Sequence, residues 1–110
     1  MREGALTHAI RAAVNRQPGA RFWRNNVGLA HYESGAVPYG LGRGSADLVG
    51  LVRGTFTALE VKTLNGRTSA KRAEEQRLWR ETVRRFGGVA EVVCSVEEAI
   101  AVVQGVSRGR

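Results

Sequence analysis

Asp47, Glu60 and Lys62 are the residues whose types and spacing suggest chemistry. They lie in a segment, residues 46–62, that reads as two strands joined by a tight turn at Arg53-Gly54. Glycine at the second turn position suits a two-residue hairpin that needs positive φ. Taking Arg53 and Gly54 as the loop fixes the register and puts Asp47 opposite Glu60. Two carboxylates directly across a strand pair repel each other, and a divalent cation is the simplest compensation. Side chains alternate along a strand, so Lys62 shares the face of Glu60. The pattern depends on the register, because a slip of one residue would turn Asp47 to the other face.

An Asp, a Glu and a Lys on one patch of sheet suit metal-assisted hydrolysis of a phosphodiester. That reaction needs a positioned water and stabilisation of charge on the phosphate, and Mg²⁺ or Mn²⁺ supplies much of both. Such hard ions take carboxylate oxygens and keep several waters. Asp47 and Glu60 are suitable ligands, and the carbonyl of Val61 can complete the protein side. Lys62 would orient or deprotonate the attacking water, or neutralise developing charge. Glu-Val-Lys also occurs as plain exposed alternation with no chemical role. Against that bland reading, Asp47 is the only Asp in the chain, and Lys62 is one of two lysines among seventeen basic residues.

The remaining charge points to a polyanion. The 110 residues carry a net charge of +7, and fifteen of the basic residues are arginine, whose planar donor fork matches phosphate. Nucleic acid is the expected partner, although an arginine excess can also serve solubility alone. The 43% hydrophobic content argues for a folded globule, and the length for a single domain over residues 1–110. The single cysteine, Cys94, excludes an intramolecular disulfide framework and a cysteine-rich zinc site. No apolar run approaches membrane-helix length and no secretory signal is visible, so no membrane partner and a cytoplasmic setting are expected.

The elements that must position these residues follow from periodicity. Residues 2–16 read as an amphipathic helix with Leu6, Ile10, Ala13 and Val14 inward. Glu3 is either a carboxylate favourable to the helix dipole or a third acid aimed at the sheet. Residues 20–26, with Phe22 and Trp23, form a short strand. Residues 27–44 read as a long glycine-rich loop, with His31, Tyr32, Tyr39 and Arg43 available to DNA. A helix over residues 70–86 starts at Thr68 or Ser69 and carries Gln76 in its otherwise apolar face. Its other face, including Arg72, Glu75 and Arg77, reads equally as a solvated surface or as a DNA contact. Residues 89–94 form a strand that reads as central. Ser95 and Glu98 make a capping box for a last helix ending near Gln104, followed by a frayed basic tail. The order αβββαβ plus a C-terminal helix predicts an α/β fold, a mixed β-sheet flanked by helices.

Several segments together resemble the VRR-NUC domain, a branch of the PD-(D/E)XK nuclease superfamily. They are Gly44-Ser45-Ala46-Asp47-Leu48-Val49-Gly50-Leu51, Leu59-Glu60-Val61-Lys62-Thr63, Gly66-Arg67-Thr68-Ser69, Gln76-Arg77-Leu78-Trp79, Gly87-Gly88 and Cys94-Ser95-Val96-Glu97-Glu98-Ala99. The resemblance spans nearly the whole chain and is similar to the stand-alone, virus-type members. It implies a restriction-endonuclease-like fold, with Asp47, Glu60 and Lys62 as the catalytic core. It implies Glu3, Asp47, Glu60 and the Val61 carbonyl as metal ligands, and an active-site role for Gln76. Ala46 stands where a proline often precedes the Asp, a position that shapes the strand start. The resemblance further implies a structure-selective DNA endonuclease like a Holliday-junction resolvase, dependent on Mg²⁺ or Mn²⁺, and a homodimer with two active sites. The alternative is a catalytically silent nucleic-acid-binding module on the same fold, and an RNA substrate stays open.

Overall fold

The structure is a computed structural model and describes residues 2–109. Its elements are α1 (Glu3–Val14), β1 (Ala20–Arg24), β2 (Gly28–Tyr32), β3 (Gly35–Tyr39), β4 (Leu48–Val52), β5 (Thr55–Val61), α2 (Ala70–Arg85), β6 (Val89–Val93) and α3 (Val96–Gly109). The strands form a four-stranded mixed sheet in the order β1-β4-β5-β6 and a separate two-stranded ribbon, β2-β3. The chain is thus a mixed α/β protein with three helices among the described residues. No described helix is long and apolar enough to cross a membrane.

The two faces of the main sheet differ. Phe22, Leu48, Val52, Leu59, Val61 and Val93 point to one side. There they pack on Leu6, Ile10 and Val14 of α1 and on Ala99, Val103 and Val106 of α3. This is the principal core. The other side is thin: Ala46, Ala58 and Ala90 form a flat seat for Trp79 and Val83 of α2. Small side chains there let α2 approach the sheet closely. The Ser69 hydroxyl accepts the Arg72 N–H and caps α2 at its start.

The β4–β5 hairpin has the expected register, with Leu48 opposite Leu59 and Val52 opposite Thr55. Arg53 (φ 47°) and Gly54 (φ 85°) both take left-handed conformations, as a type I′ turn requires. Arg53 is held there by its N–H to the Gly19 carbonyl at 2.8 Å and by its Nε to the Ser107 hydroxyl at 2.7 Å.

Three expectations are corrected. The glycine-rich stretch is not an irregular loop, because it contains the β2–β3 ribbon; its strands hide from periodicity because β3 is exposed throughout and β2 nearly so. β6 is an edge strand, not a central one. It is apolar because it is covered above by α2 and below by α3. The last helix does not stop near Gln104, since Val106 continues the inward stripe and is 8% exposed. Trp23 is half-exposed while its neighbour Phe22 is fully buried, because alternate strand residues face opposite sides.

Gly44 sets how closely the segment before β4 meets α2. Its φ is +80°, and a Cβ there would collide with the Glu75 carbonyl. Gly42 has a similar φ of +100° but open space around it. Gly42→Ala should therefore lose only the conformational cost, about 1 kcal/mol. Gly44→Ala should lose about 3 kcal/mol, because helix and loop must also separate. Urea denaturation of the two variants checks the difference.

Candidate active site

Asp47 sits immediately before β4 and is fixed by backbone bonds on both sides. Its carbonyl accepts the Asn25 N–H at 2.8 Å, extending the β1–β4 ladder. Its carboxylate Oδ2 accepts the Val61 N–H at 2.8 Å. Asn25 acts as a clamp from the end of β1: its Nδ2 donates to the Ser45 hydroxyl at 2.8 Å and to the Ala46 carbonyl at 2.9 Å. Sequence reasoning missed this role of Asn25. The available signal was an amide residue following a strand, where side-chain bonds to backbone are common.

Glu60 lies on β5 on the α2 side of the sheet and is 4% exposed. Its Oε2 accepts the Gln76 Nε2 at 3.3 Å and lies 3.5 Å from the Lys62 Nζ. Lys62 also donates to the Thr68 hydroxyl at 2.8 Å, so the turn after β5 holds the ammonium in place. The Lys62 N–H turns to the Val93 carbonyl of β6, whereas the Val61 N–H turns to Asp47. In an extended strand a residue's carbonyl lies on the side of its own N–H. The Val61 carbonyl is therefore directed towards the Asp47 side. Four of the expected site residues, Asp47, Glu60, Lys62 and Gln76, are in this way brought together with the backbone of Val61.

Glu3 is not gathered with them. It is exposed in the first turn of α1, and α1 packs on the opposite face of the sheet. Its carbonyl accepts the Thr7 hydroxyl at 2.8 Å. No group of three or more His, Cys, Asp or Glu side chains converges at metal-holding distance among the described residues.

A cavity of about 290 Å³ opens over Asp47, Glu60 and Gln76. Its rim includes Arg43, Arg72 and Glu75. Arg72 and Glu75 were expected on the helix face opposite the apolar one, either solvated or in contact with DNA. Instead Arg72, Glu75, Gln76 and Trp79 form one stripe at helical spacing, and Gln76 and Trp79 already marked it as the sheet-facing one. Glu75 faces Arg43 at 3.9 Å, and Arg72 makes no ion pair among the described residues. The solvated reading does hold for Arg77, which pairs with Glu74 and Glu81 along the helix.

The electrostatics are unbalanced. Burial pushes the Glu60 carboxyl up, and the facing Asp47 carboxylate pushes it further, against the opposing pull of Lys62. The result is a pKa raised from 4.5 to about 7. Below pH 4.5 Glu60 is protonated in both folded and unfolded chains and contributes nothing to the pH dependence. Between 4.5 and about 7 the folded protein keeps a proton that the unfolded chain releases, so stability falls as pH rises. Above about 7 the full cost is present. The melting temperature of metal-free protein should therefore drop from pH 5 to pH 8. Glu60→Gln should flatten that drop and melt at or above the wild-type temperature at pH 8. Calorimetry across this range tests both, and a large loss of stability in Glu60→Gln at pH 8 would contradict the strained carboxylate pair.

No protein-family model matches this chain, and no curated protein matches it either. The chemistry of the pocket is therefore read from its own residues.

Proposed function

We propose that this chain is a metal-dependent, structure-selective DNA endonuclease, resembling a Holliday-junction resolvase and working as a homodimer. The observation that carries the reading is Glu60: a buried carboxylate facing Asp47, with Lys62 and Gln76 both directed at one of its oxygens. A purely structural site has no reason to place two acids together at the floor of an open cavity. The mixed sheet between α1 and α3 on one face and α2 on the other is compatible with a restriction-endonuclease-like core. The β2–β3 ribbon would then be an insertion before β4.

A divalent cation fits this donor set. Asp47 and Glu60 offer hard carboxylate oxygens, the Val61 carbonyl is directed to the same side, and their mutual repulsion is what a cation would relieve. Bound there, Mg²⁺ or Mn²⁺ would supply Lewis-acid stabilisation and an acidified water. The chain's own residues do the rest. Gln76 fixes the orientation of Glu60. Thr68 holds Lys62 where it can orient a water or meet the charge that develops on the phosphate. Arg72, and Arg43 once released from Glu75, offer planar forks to the phosphates at the cavity rim. Glu3, on α1 across the sheet, takes no part in this scheme, and Asp47 and Glu60 are the primary ligands.

The test uses labelled four-way-junction, flap and linear duplex DNA and an RNA hairpin, each with Mg²⁺, Mn²⁺ or EDTA. Metal-dependent cleavage of the junction is expected. Asp47→Asn and Lys62→Met should each slow it at least about a hundredfold. Tight binding without cleavage under any metal would overturn the nuclease reading in favour of the silent binding module. A direct binding measurement accompanies it: Mn²⁺ should raise the melting temperature of wild-type protein at pH 8 and leave that of Glu60→Gln unchanged.

A further inference from the structure

The α2 side of the main sheet is covered unevenly. α2 packs chiefly on β6 at one edge and leaves β1 and β4 open at the other. The register says which side chains lie in that open strip. Trp23 is opposite Val49, and Arg21 is opposite Leu51, which in turn is opposite Phe56. Val49 adjoins the alanine seat under α2, and Phe56 meets Trp79 edge-on with ring centroids 6.5 Å apart. Facing residues share a side of the sheet, so all five are on the α2 side. Trp23 is 49% exposed, Leu51 45% and Phe56 37%. Asp47 stands two residues before Val49, so one end of the strip is the cavity over Asp47 and Glu60. At the other end a second cavity, of about 310 Å³, is lined by Phe56, Trp79 and the largely exposed Phe86.

We infer that this strip is a track for an unpaired DNA strand, with bases stacked on Trp23 and on the Phe56 end and phosphates held by the arginines of β1. Charge complementarity selects that occupant. Arg21 and Arg24 flank Trp23 on an edge strand; both are exposed, and neither makes an ion pair among the described residues. β1 and β4 contain no carboxylate. Glu75, on the α2 flank, is already held by Arg43. Exposed rings beside free guanidinium groups match a repeat of flat bases and phosphates, and an apolar protein segment would leave those cations unanswered. Pairing decides the rest. A base inside a duplex has both faces covered by its neighbours, so open rings on a sheet can stack only on bases that have left the helix.

The strip and the candidate site are continuous along β4, so a strand lying on Trp23 leads to Asp47 and Glu60. The substrate class that follows is branched DNA with an unpaired strand beside the phosphate to be cut; this clause alone rests on the nuclease reading.

The test is binding in EDTA, where cleavage does not intervene, by fluorescence anisotropy of a labelled oligothymidine of about twelve nucleotides and a blunt duplex of the same length. The single strand should bind the whole chain more tightly than the duplex. Trp23→Ala should weaken single-strand binding at least about tenfold and duplex binding by less than about twofold, and Trp23→Phe should recover most of the loss. Arg21→Ala should weaken it several-fold and make it less sensitive to salt. Leu51→Glu, which sets a carboxylate in the track at a half-exposed position, is the second variant; thermal unfolding confirms that each variant is folded. Equal affinity for strand and duplex overturns the inference, as does single-strand binding that survives both Trp23→Ala and Leu51→Glu. If Trp23→Ala weakens the blunt duplex as much as the single strand, the strip belongs to helix ends and the inference also fails. Metal-dependent cleavage without preferential single-strand binding refutes the track and spares the nuclease. Single-strand binding lost in Trp23→Ala, in a chain that cleaves under no metal, does the reverse.

Discussion

The confrontation of Asp47 and Glu60 is the constraint around which the rest of the molecule is arranged. It arises from backbone geometry. A type I′ turn at Arg53-Gly54 fixes the register, and the register leaves the two carboxylates no alternative positions. The Val61 N–H and the Asn25 clamp then hold the Asp47 segment in place, so the acids cannot relax apart. The resulting strain is lodged in Glu60, which the burial and the neighbouring charge hold towards its protonated form. Sites of this kind are expensive for a fold and persist where the surrounding structure over-determines them.

The opposite face of the sheet provides that surplus. α1 and α3 cover a continuous apolar layer from Phe22 to Val93, and this is where most of the burial lies. The α2 face contributes little packing: three alanines and parts of Val49, Trp79 and Val83. It trades burial for access. The alanine seat and Gly44 let the α2 backbone come down onto the segment that carries Asp47. Gln76 thereby reaches Glu60, and Arg72 and Glu75 reach the cavity rim. One face stabilises the sheet; the other positions polar groups over it.

The ribbon extends the same division of labour. It is joined to the site at both of its ends yet shares almost no packing with the body. Its composition is apolar and nearly uncharged in a strongly basic chain.

Local determinants were legible in the amino-acid sequence by itself. The Arg53-Gly54 turn gave the register, the register gave the Asp47–Glu60 face, and strand alternation added Lys62. Gln76 stood out because it interrupted an apolar stripe. These relations span few residues, so turn geometry and periodicity determine them. What only the tertiary structure decided depends on partners distant in the chain. Glu3 lies across the sheet from the acids it was expected to join, because α1 packs on the face away from α2. Arg72 and Glu75 share the helical stripe of Gln76, but that this stripe comes down to the rim of the cavity depends on the close approach at Gly44. β6 sits at an edge although it has few polar positions, because α2 and α3 both pack on it. The β2–β3 ribbon was invisible for the opposite reason: with neither face buried, its strands leave no alternation of apolar and polar residues to read.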